Sequence, residues 1–408
     1  GATSCKSMLT GDKKSEFTPP YDKAGTYWYY LEVYVSANGV VGEKVQTDCV
    51  ELVVTSLEWP LTGEGSTESP YLITSAEDLV AIREAVRKGN AFSGSYFKFA
   101  NDVTLPDGWE PIGCTKDGSD KIQKGDNLNA FSGVIDGENY TLEVPAGGLP
   151  LLGYVRGAIV KNLNIYGTQI AGYGLVNNFQ GVDLSGSGIV IDNVTLKSGS
   201  QTLKSGLIGS VMSSENGFAG ASAGFTATIR NCTIESGVIV GYTGTESRIG
   251  SIAGRLQGTI ENCVSYATVR GKDYVGGLVG AKDNAMGSCE VTNSQFHGTV
   301  EGSYCVGGIA GAPYSGDAAP NAIRMSITGC TVDGTVRGKE CVGGILGGDP
   351  KVAQAWNNYS ITGNVFTGTA MGDKYVGGII GYYESLNKFD AITNNVYFIG
   401  GDVKCGIG

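Results

Sequence analysis

The sequence predicts an all-β protein whose main part is a right-handed parallel β-helix, a solenoid of stacked coils, with a short N-terminal capping helix. Three observations predict this fold. Glycine accounts for 65 of 408 residues, about twice its usual share, while 41% hydrophobic residues leave enough apolar side chains for a core. Two short phrases recur every 31 to 36 residues. Within each repeat, apolar and polar residues alternate with the period of a β-strand.

The repeat consists of two phrases in constant register. The first has Asn or Gly as its fourth residue, as in T-I-R-N-C-T-I, and successive copies place there Asn231, Asn262, Asn293, Gly329, Gly363 and Asn394. The second phrase, V-G-G-[LI]-x-G, has its valine thirteen residues later and lies within 274–280, 305–311, 341–347 and 375–381. Two phrases that keep register over five repeats indicate a solenoid.

Each repeat is too small to bury its own apolar face. We therefore expect the repeats to stack at about 4.8 Å and to share one core. The double glycine of the second phrase predicts either a corner with positive φ or a point of tight packing. The Asn or Gly of the first phrase predicts another corner or a ladder of stacked amides.

The chain contains ten cysteines but no C-x-x-C pair, so the usual zinc spacing is missing. Several should act as small inward-facing hydrophobic residues. Five recur at two positions of the repeat and are expected to stack in two columns, Cys232, Cys263 and Cys330 in one and Cys305 and Cys341 in the other. Cys405 is expected to continue the second column. The sequence leaves open which cysteines form disulfides, and Cys5 with Cys49 is one candidate pair.

Residues 1–57 differ from the repeats. The run 25–35 is rich in aromatic and β-branched residues and predicts a strand, 36–39 predicts a turn, and 48–54 predicts a second strand.

The following segment, 58–100, carries the signals of a single helix after a short strand at 71–73. Ser75 is the predicted N-cap, with Asp78 three residues later. Apolar residues recur at helical spacing at Leu79, Ile82 and Val86, and Gly89 predicts the end of the helix. A single amphipathic helix before a solenoid is expected to cap it.

Three runs resemble known families. The V-G-G-[LI]-x-G phrases resemble the GLUG repeat of bacterial adhesins and of repeat regions in IgA peptidases. The run TESPYLITSAEDLVAI resembles the segment that precedes such repeats in surface proteins of gut bacteria. The run FTPPYDKAGTYWYYLEVYVSANG resembles the later strands of bacterial immunoglobulin-like domains.

The resemblance implies three parts: a partial immunoglobulin-like β-sandwich at 1–57, a capping segment with a helix at 58–100, and a GLUG-like parallel β-helix at 101–408. It also implies a bacterial cell-surface or secreted protein. It does not imply peptidase activity, because the chain has no H-E-x-x-H zinc motif.

The charge argues against two classes of partner. Forty acidic residues face 29 basic ones, and the formal net charge of −11 disfavours nucleic acid and anionic membrane surfaces. No run of 18 apolar residues predicts membrane insertion. Because the chain opens at Gly1 without a signal peptide and ends without a polar cap, we expect a monomeric part of a longer multidomain protein.

A pair of carboxylates is the main catalytic alternative. Many right-handed β-helices are polysaccharide hydrolases or lyases, and glycoside hydrolysis needs two carboxylates about 5 to 10 Å apart. Neighbouring coils could supply Asp183, Asp192, Glu235 and Glu261. Each of these residues fits a solvated strand face or a turn better, and none lies in a recognisable pattern.

The remaining motifs favour structural interpretations. The G-x-S-x-G match at 220–224 lacks the helix that such a nucleophile turn requires, and the single histidine, His297, is expected to be satisfied or exposed. Asp117, Asp120 and Asp126 are conceivable calcium ligands, but their spacing matches no known calcium loop, so a polar loop is predicted. We expect no catalytic residues, no metal and no cofactor.

Insertions provide the most informative functional feature. They follow the second phrase at 281–289, 312–325, 348–359 and 382–391, so they are expected to leave the solenoid on one side and to form one surface. The predicted binding residues on this surface are Tyr314, Asp317, Trp356, Tyr382 and Tyr383, with Lys282, Asp283 and Lys388 beside them. Aromatic side chains beside carboxylates suit sugar rings or a protein partner. Alternatively, they only cover the side of the solenoid.

The sequence therefore favours a non-catalytic extracellular module of an adhesin-like surface protein. It would bind host or dietary glycan or a host surface protein, or display neighbouring domains. A carbohydrate-active enzyme, either glycoside hydrolase or lyase, or an accessory domain of one, is the first alternative. A passive spacer is the second.

Overall fold

The structure is a computed structural model of the chain. It divides into two compact units, residues 1–60 and 61–408, which are described separately. The structure describes residues 25–30, 32–33, 36–37, 40–41, 43, 45–54, 59–115, 128–176, 179–180, 188–212, 226–282, 288–313, 324–348, 358–383, 391–399, 401–403 and 405–408.

The N-terminal unit contains the two predicted strand regions as the arms of one antiparallel hairpin. Its paired segments are nested: Gly25–Tyr29 with Val50–Val54, Glu32–Val33 with Val45–Gln46, and Ser36–Ala37 with Val40–Val41. The innermost pair flanks residues 38–39, which lie outside the described residues, so the turn within 36–39 stays a prediction. These segments show one hairpin rather than two packed sheets, so the immunoglobulin-like sandwich stays a prediction.

The second unit is a parallel β-helix in which one coil crosses five faces, each a stack of parallel strands. We number the faces in chain order. Face 1 contains Tyr71–Ile73, Tyr96–Phe99, Val134–Asp136, the first halves of Ile159–Tyr166 and Ile189–Leu196, then Ala227–Arg230, Gly258–Glu261, Ser288–Thr292, Arg324–Thr328, Asn358–Thr362 and Ala391–Thr393. Face 2 contains Val103–Thr104, Thr141–Glu143, the second halves of the two long strands, then Thr233–Ile234, Val264–Ser265, Gln295–Phe296, Thr331–Val332, Val365–Phe366 and Val396–Tyr397.

The other three faces complete the coil. Face 3 contains Gln201–Thr202, Ile239–Val240, Thr268–Arg270, Thr299–Glu301, Thr335–Arg337 and Thr369–Met371. Face 4 contains Ile249–Gly250, Asp273–Gly276, Tyr304–Gly307, Glu340–Gly343 and Lys374–Gly377. Face 5 contains Phe179–Gln180, Ile208–Met212, Ala253–Leu256, Val279–Lys282, Ala310–Ala312, Leu346–Gly348 and Ile380–Tyr382. Outside the faces, Cys114–Thr115 and Leu128–Asn129 form a small antiparallel pair. The right-handed sense of the coil stays a prediction.

The core consists of identical positions stacked along the axis. On face 1, register aligns Ile191 with Ile229, Ile229 with Ile260, and the column then continues through Val291, Ile327 and Ile361. All six side chains are fully buried. Burial of such a side chain contributes about 1.5 to 3 kcal/mol, and here each one obtains its contacts from the coils on either side.

The helix spans Ala76–Arg87 and follows the sequence prediction. Asp78 accepts the backbone N–H of Ser75 at 3.1 Å, the three predicted apolar residues are buried, and Gly89 has φ of 95°. The helix connects the strands Tyr71–Ile73 and Tyr96–Phe99, which are neighbours on face 1. The capping segment therefore contributes its own strands to the solenoid sheet.

The first phrase forms a left-handed corner between faces 1 and 2. Its Asn and Gly residues have φ between 49° and 66°, beginning with Asn162 and Asn193 in the long strands and continuing through all six predicted positions. One amide–amide bond occurs before the predicted positions, where Asn193 Nδ2 donates to Asn162 Oδ1 at 2.8 Å, whereas Asn231 Nδ2 donates to Asp192. Asn tolerates this conformation better than other residues with a side chain, which explains why it recurs at the first corner.

The second phrase forms another left-handed corner, but not at its glycines. Positive φ occurs one residue before the valine, at Arg248, Tyr274, Cys305, Cys341 and Tyr375. The phrase glycines are sites of tight packing instead. A Cβ added to Gly308 would collide with the carbonyl oxygen of Gly344 in the next coil, and one added to Gly311 would lie 2.5 Å from the carbonyl carbon of Tyr274. Of the two predicted roles of the double glycine, tight packing is the one found.

Cys405 does not continue the second cysteine column. Its carbonyl accepts the backbone N–H of Gly378, just as the carbonyl of Gly343 accepts that of Gly308. Cys405 therefore occupies the column of Gly343, the first glycine of the second phrase. Its side chain is exposed, whereas Cys305 and Cys341 are buried. Tyr375 is the residue that follows Cys341 in the corner column. Cys49 is an exposed free thiol, and Cys5 lies outside the described residues.

Candidate functional site: a tyrosine cluster at the insertion edge

The insertions all occur between face 5 and face 1. Strands on both faces keep register from coil to coil, so the strand ends that flank the joining segments lie along one edge, which we call the insertion edge. These segments are 181–187, 213–225, 283–287, 314–323, 349–357 and 384–390. They are shorter than the sequence predicted, because face 5 strands extend into the expected insertions, as far as Lys282, Ala312, Gly348 and Tyr382.

Two of the five predicted binding residues lie at this edge among the described residues. Tyr382 ends a face 5 strand and packs edge-on against Tyr375, with ring centroids 4.9 Å apart. Tyr383 follows it and packs edge-on against Tyr359 of face 1 at 6.3 Å. Both Tyr382 and Tyr383 are partly exposed. Tyr314, Asp317 and Trp356 lie outside the described residues, as do Asp283 and Lys388, and their place in the site stays a prediction.

Further tyrosines occupy neighbouring coils of the same region. Tyr274 at the second corner packs edge-on against Tyr304 of the next coil, with centroids 6.0 Å apart. The six residues Tyr274, Tyr304, Tyr359, Tyr375, Tyr382 and Tyr383 are called the tyrosine cluster below. Four of them, all but Tyr359 and Tyr383, pack on a floor of small buried side chains, Ala281, Cys305, Ala312 and Cys341.

Charged groups flank the cluster at both ends. The Arg248 guanidinium lies 5.8 Å from the centroid of the Tyr274 ring. The Lys374 ammonium lies 4.3 Å from the Tyr375 ring centroid and is 3.0 Å from Glu340 Oε1. The hydrogen bond to Glu340 is the main cause that raises the pKa of Lys374. The region therefore combines aromatic faces with a cation and a carboxylate, the groups that bind sugar hydroxyls or polar protein side chains.

The structure corrects the expected position of Lys282. Instead of standing on the insertion surface, its side chain is fully buried at the end of a face 5 strand. It lies close enough to Cys289 that its positive charge partly offsets the effect of burial, which raises the pKa of that thiol to about 12. Lys282 is therefore not a residue that could contact a ligand at the surface.

The candidate catalytic carboxylates are held in ion pairs. Asp192 is 2.8 Å from the Arg230 guanidinium and accepts a hydrogen bond from the Asn231 amide. Burial opposes ionisation of Asp192, but these hydrogen bonds lower its pKa. Glu235 is paired with Lys197, and its pKa is also lowered despite burial. A general acid needs the opposite shift. Asp183 lies outside the described residues.

Glu261 belongs to the same exposed column as this ion pair. Register places it beside Arg230 of the previous coil, and its charge is one of the causes that raise the pKa of that guanidinium. Lys161, Asp192, Arg230 and Glu261 thus form a ladder of alternating charge along face 1, which is a structural use of the carboxylates.

His297 is satisfied, as predicted. Its Nδ1 is 2.7 Å from Asp333 Oδ1 and its Nε2 is 3.0 Å from Gln295 Oε1. The ring stacks on Tyr266 with centroids 4.9 Å apart. Among the described residues, no three His, Cys, Asp or Glu side chains are grouped so that they could hold a metal ion. Asp117, Asp120 and Asp126 and the 220–224 motif lie outside the described ranges.

Sequence reasoning missed four members of the tyrosine cluster. Tyr274 and Tyr375 were visible as the residue before V-G-G, and Tyr304 as the residue before Cys305. Their recurrence within one residue of the second corner is the signal that could have joined them to Tyr382. Tyr359 carries no such signal, because it comes directly after an insertion.

Comparisons with known proteins give distant similarities. No family model matches the chain. It is 30% identical over 154 residues to a protein of Evansella cellulosilytica provisionally named a Gly-rich membrane protein, which covers 34% of this chain and 15% of that protein. It is 27% identical over 285 residues to halomucin of Haloquadratum walsbyi, which covers 67% of this chain and 2% of halomucin. The chain thus spans only a small part of either relative.

One solved structure is also similar. It is that of a protein from Bacteroides ovatus provisionally described as an immunoglobulin A1 protease, with 21% identity, a TM-score of 0.34, and coverage of 82% of this chain and 76% of that one. Within the described ranges, no helix is long and apolar enough to cross a membrane.

Proposed function

We propose that this chain is a non-catalytic extracellular module of a bacterial adhesin-like surface protein, which binds glycan or a host surface protein at the insertion edge. The observation that carries the proposal is the tyrosine cluster, which spans several coils beside the strand ends that flank successive insertions. Loops on a rigid scaffold are where repeat proteins place binding residues, and tyrosine is a favoured anchor because it offers a large, rigid face with a polar tip.

The wider assignment rests on several supports. The V-G-G-[LI]-x-G phrases support a GLUG-type β-helix, and the nested hairpin of residues 25–54 supports the end of an immunoglobulin-like domain. Similarity to stretches of a Gly-rich membrane protein and of halomucin supports a place at the cell surface. The ion-paired state of Asp192 and Glu235 favours binding over glycoside hydrolysis.

Binding is tested with the chain on an array of host glycans, mucins, matrix proteins and dietary polysaccharides. Tyr382→Ala and Tyr383→Ala should each weaken the interaction by roughly 10- to 30-fold, the effect of losing about 1.5 to 2 kcal/mol at an aromatic anchor. Trp356→Ala extends the test to the predicted insertion residues. Tyr140→Ala is the matched control, since Tyr140 is exposed and lies beside the first corner, away from the insertion edge.

Thermal midpoints of all variants must stay within a few degrees of the parent for the binding loss to count. Undiminished binding by both Tyr382→Ala and Tyr383→Ala would overturn the assigned site. A complete absence of ligands would favour the passive spacer. Release of shorter sugars from a bound polysaccharide would favour the enzyme.

A further inference from the structure

Two cysteines occupy the same position in adjacent coils. Cys232 and Cys263 each follow a first-corner asparagine. The residues on either side are in register, Arg230 with Glu261 and Thr233 with Val264, so the two cysteines lie directly above one another. Neighbouring strands are about 4.8 Å apart, which falls within the roughly 4.4 to 6.8 Å that a disulfide spans between Cα atoms.

The two thiols are buried at the same place in the column. Both side chains have 0% exposure, and each thiol is among the causes that shift the pKa of the other. Cys232 Sγ lies 3.2 Å from the carbonyl oxygen of Arg230, and Cys263 Sγ lies 3.4 Å from that of Glu261. The two side chains therefore have the same orientation in adjacent coils.

The rest of the column provides a natural comparison. The next positions are Ser294, Cys330 and Asn364, so the two residues stacked on Cys330 in this column are not cysteines. Its thiol is equally buried, and burial raises its pKa to about 12. In the folded pair the two thiols shift in opposite directions: burial raises the pKa of Cys232, and the interaction with Cys232 lowers the pKa of Cys263.

We propose that Cys232 and Cys263 form an oxidisable pair that closes to a disulfide between neighbouring coils. The oxidant is a small dialkyl disulfide such as oxidised glutathione. The Cys263 thiolate attacks one of its sulfur atoms and releases one thiol; Cys232 then gives up its proton, attacks Cys263 Sγ and releases the second. The protein loses two electrons and two protons, and the small disulfide becomes two thiols. Because both sulfurs are buried, exchange takes place while these coils are still closing during folding.

The disulfide would tie one coil to the next. Coils of a solenoid are otherwise held only by hydrogen bonds and packing with their neighbours, and a covalent link across a coil restricts the unfolded chain. Once the coils close, the bond is shielded from reductants. The inference uses no property of the insertion edge and is independent of the proposed binding function.

The test refolds the chain in a glutathione buffer, blocks remaining thiols with iodoacetamide under denaturing conditions, and digests it with trypsin without reductant. Cleavage after Arg230, Arg248, Arg255 and Arg270 separates the two cysteines, so a disulfide links peptide 231–248 to peptide 256–270. We expect this linked species to exceed any linked form of Cys330 by at least tenfold. Dithiothreitol should cleave it in unfolded protein but not in native protein.

The double variant Cys232→Ser, Cys263→Ser is the control for stability. Serine fits this column, because Ser294 already occupies it, fully buried. Oxidation should raise the thermal midpoint of the parent by several degrees relative to the reduced parent and leave that of the double variant unchanged. The proposal fails if peptides 231–248 and 256–270 are both recovered alkylated to the same extent as the Cys330 peptide, or if the linked pair proves to be Cys305 and Cys341.

Discussion

Each regular coil of the solenoid turns twice through the left-handed region, and the two corners are built in opposite ways. The first corner uses Asn or Gly at every coil, residues that adopt positive φ at low cost. The second uses Arg248, Tyr274, Cys305, Cys341 and Tyr375, for which that conformation costs of order 1 to 3 kcal/mol each. One corner thus follows local preference, and the other is imposed by packing.

The difference between the corners shows that backbone strain in this fold is concentrated at the second corner. The last glycine of each second phrase lies against the second corner of the preceding coil, as Gly311 does against Tyr274. That close approach clamps the corner and directs its side chain onto face 5. The strained corner also supplies Tyr274 and Tyr375 to the tyrosine cluster, and strain of this kind tends to accumulate at functional sites.

The strongest way to break the second corner is to remove its clamp. In Gly311→Ala the new Cβ would lie 2.5 Å from both the carbonyl carbon of Tyr274 and the nitrogen of Val275, and neither backbone atom can move without disrupting face 4. We expect a loss of about 3 kcal/mol or more, measured as a fall in the urea or thermal midpoint. A midpoint unchanged within error would show that the corner does not need the clamp.

Substitutions at the first corner should cost less stability, because they change only how readily the residue adopts positive φ. A Cβ on Gly363 would meet nothing closer than 4.0 Å, and the residue has φ of 66°. Gly363→Ala should therefore cost about 1 kcal/mol, whereas Gly363→Asn should cost little, because Asn fills the same corner at Asn262 and Asn293. Equal losses for the Ala and Asn variants would mean that space, and not φ, limits this corner.

The smallest expected effect is a pH dependence of stability at the first corner. Asp192 accepts hydrogen bonds from Arg230 and from the first-corner amide of Asn231. Despite opposing burial, these bonds lower its pKa below the ordinary 3.8. A lowered folded-state pKa contributes stability above the unfolded value that is lost as pH falls through the folded one. Because the pair is partly exposed, a few tenths of a kcal/mol are expected. Between pH 5 and 3, the thermal midpoint of Asp192→Asn should fall less than that of the parent, and an equal fall would contradict this role.

The sequence predicted much of the fold because repetition amplifies weak local signals. The helix start at Ser75 and the first-corner residues came from capping and turn chemistry that depends on a few adjacent residues. The second corner was not located at Tyr274, since positive φ there contradicts every local preference, and the sequence left open whether the double glycine formed a corner or a site of tight packing. Cys405 was placed in the wrong column because its final coil does not copy the spacing of the earlier ones.

The candidate site was predicted only in part. Tyr382 and Tyr383 lie at the insertion edge, and the role of this edge in binding stays a prediction. Lys282 was placed on the surface because it lies within the predicted insertion 281–289, where a lysine is usually solvated, but the strand Val279–Lys282 extends two residues into that segment and buries it. Tyr359 could not be assigned to the site from the sequence. It follows one insertion and its partner Tyr383 precedes the next, so only the fold brings the two rings together.

The sequence by itself determined the repeat length, the parallel stacking and the first corner, since each of these follows from period, composition and local turn chemistry. Only the tertiary structure decided the second corner, the burial of Lys282 and the pairing of aromatic rings from different coils. These depend on close approach between segments about one coil apart. A glycine in one coil has no Cβ, so the backbone of the neighbouring coil can pack directly against it.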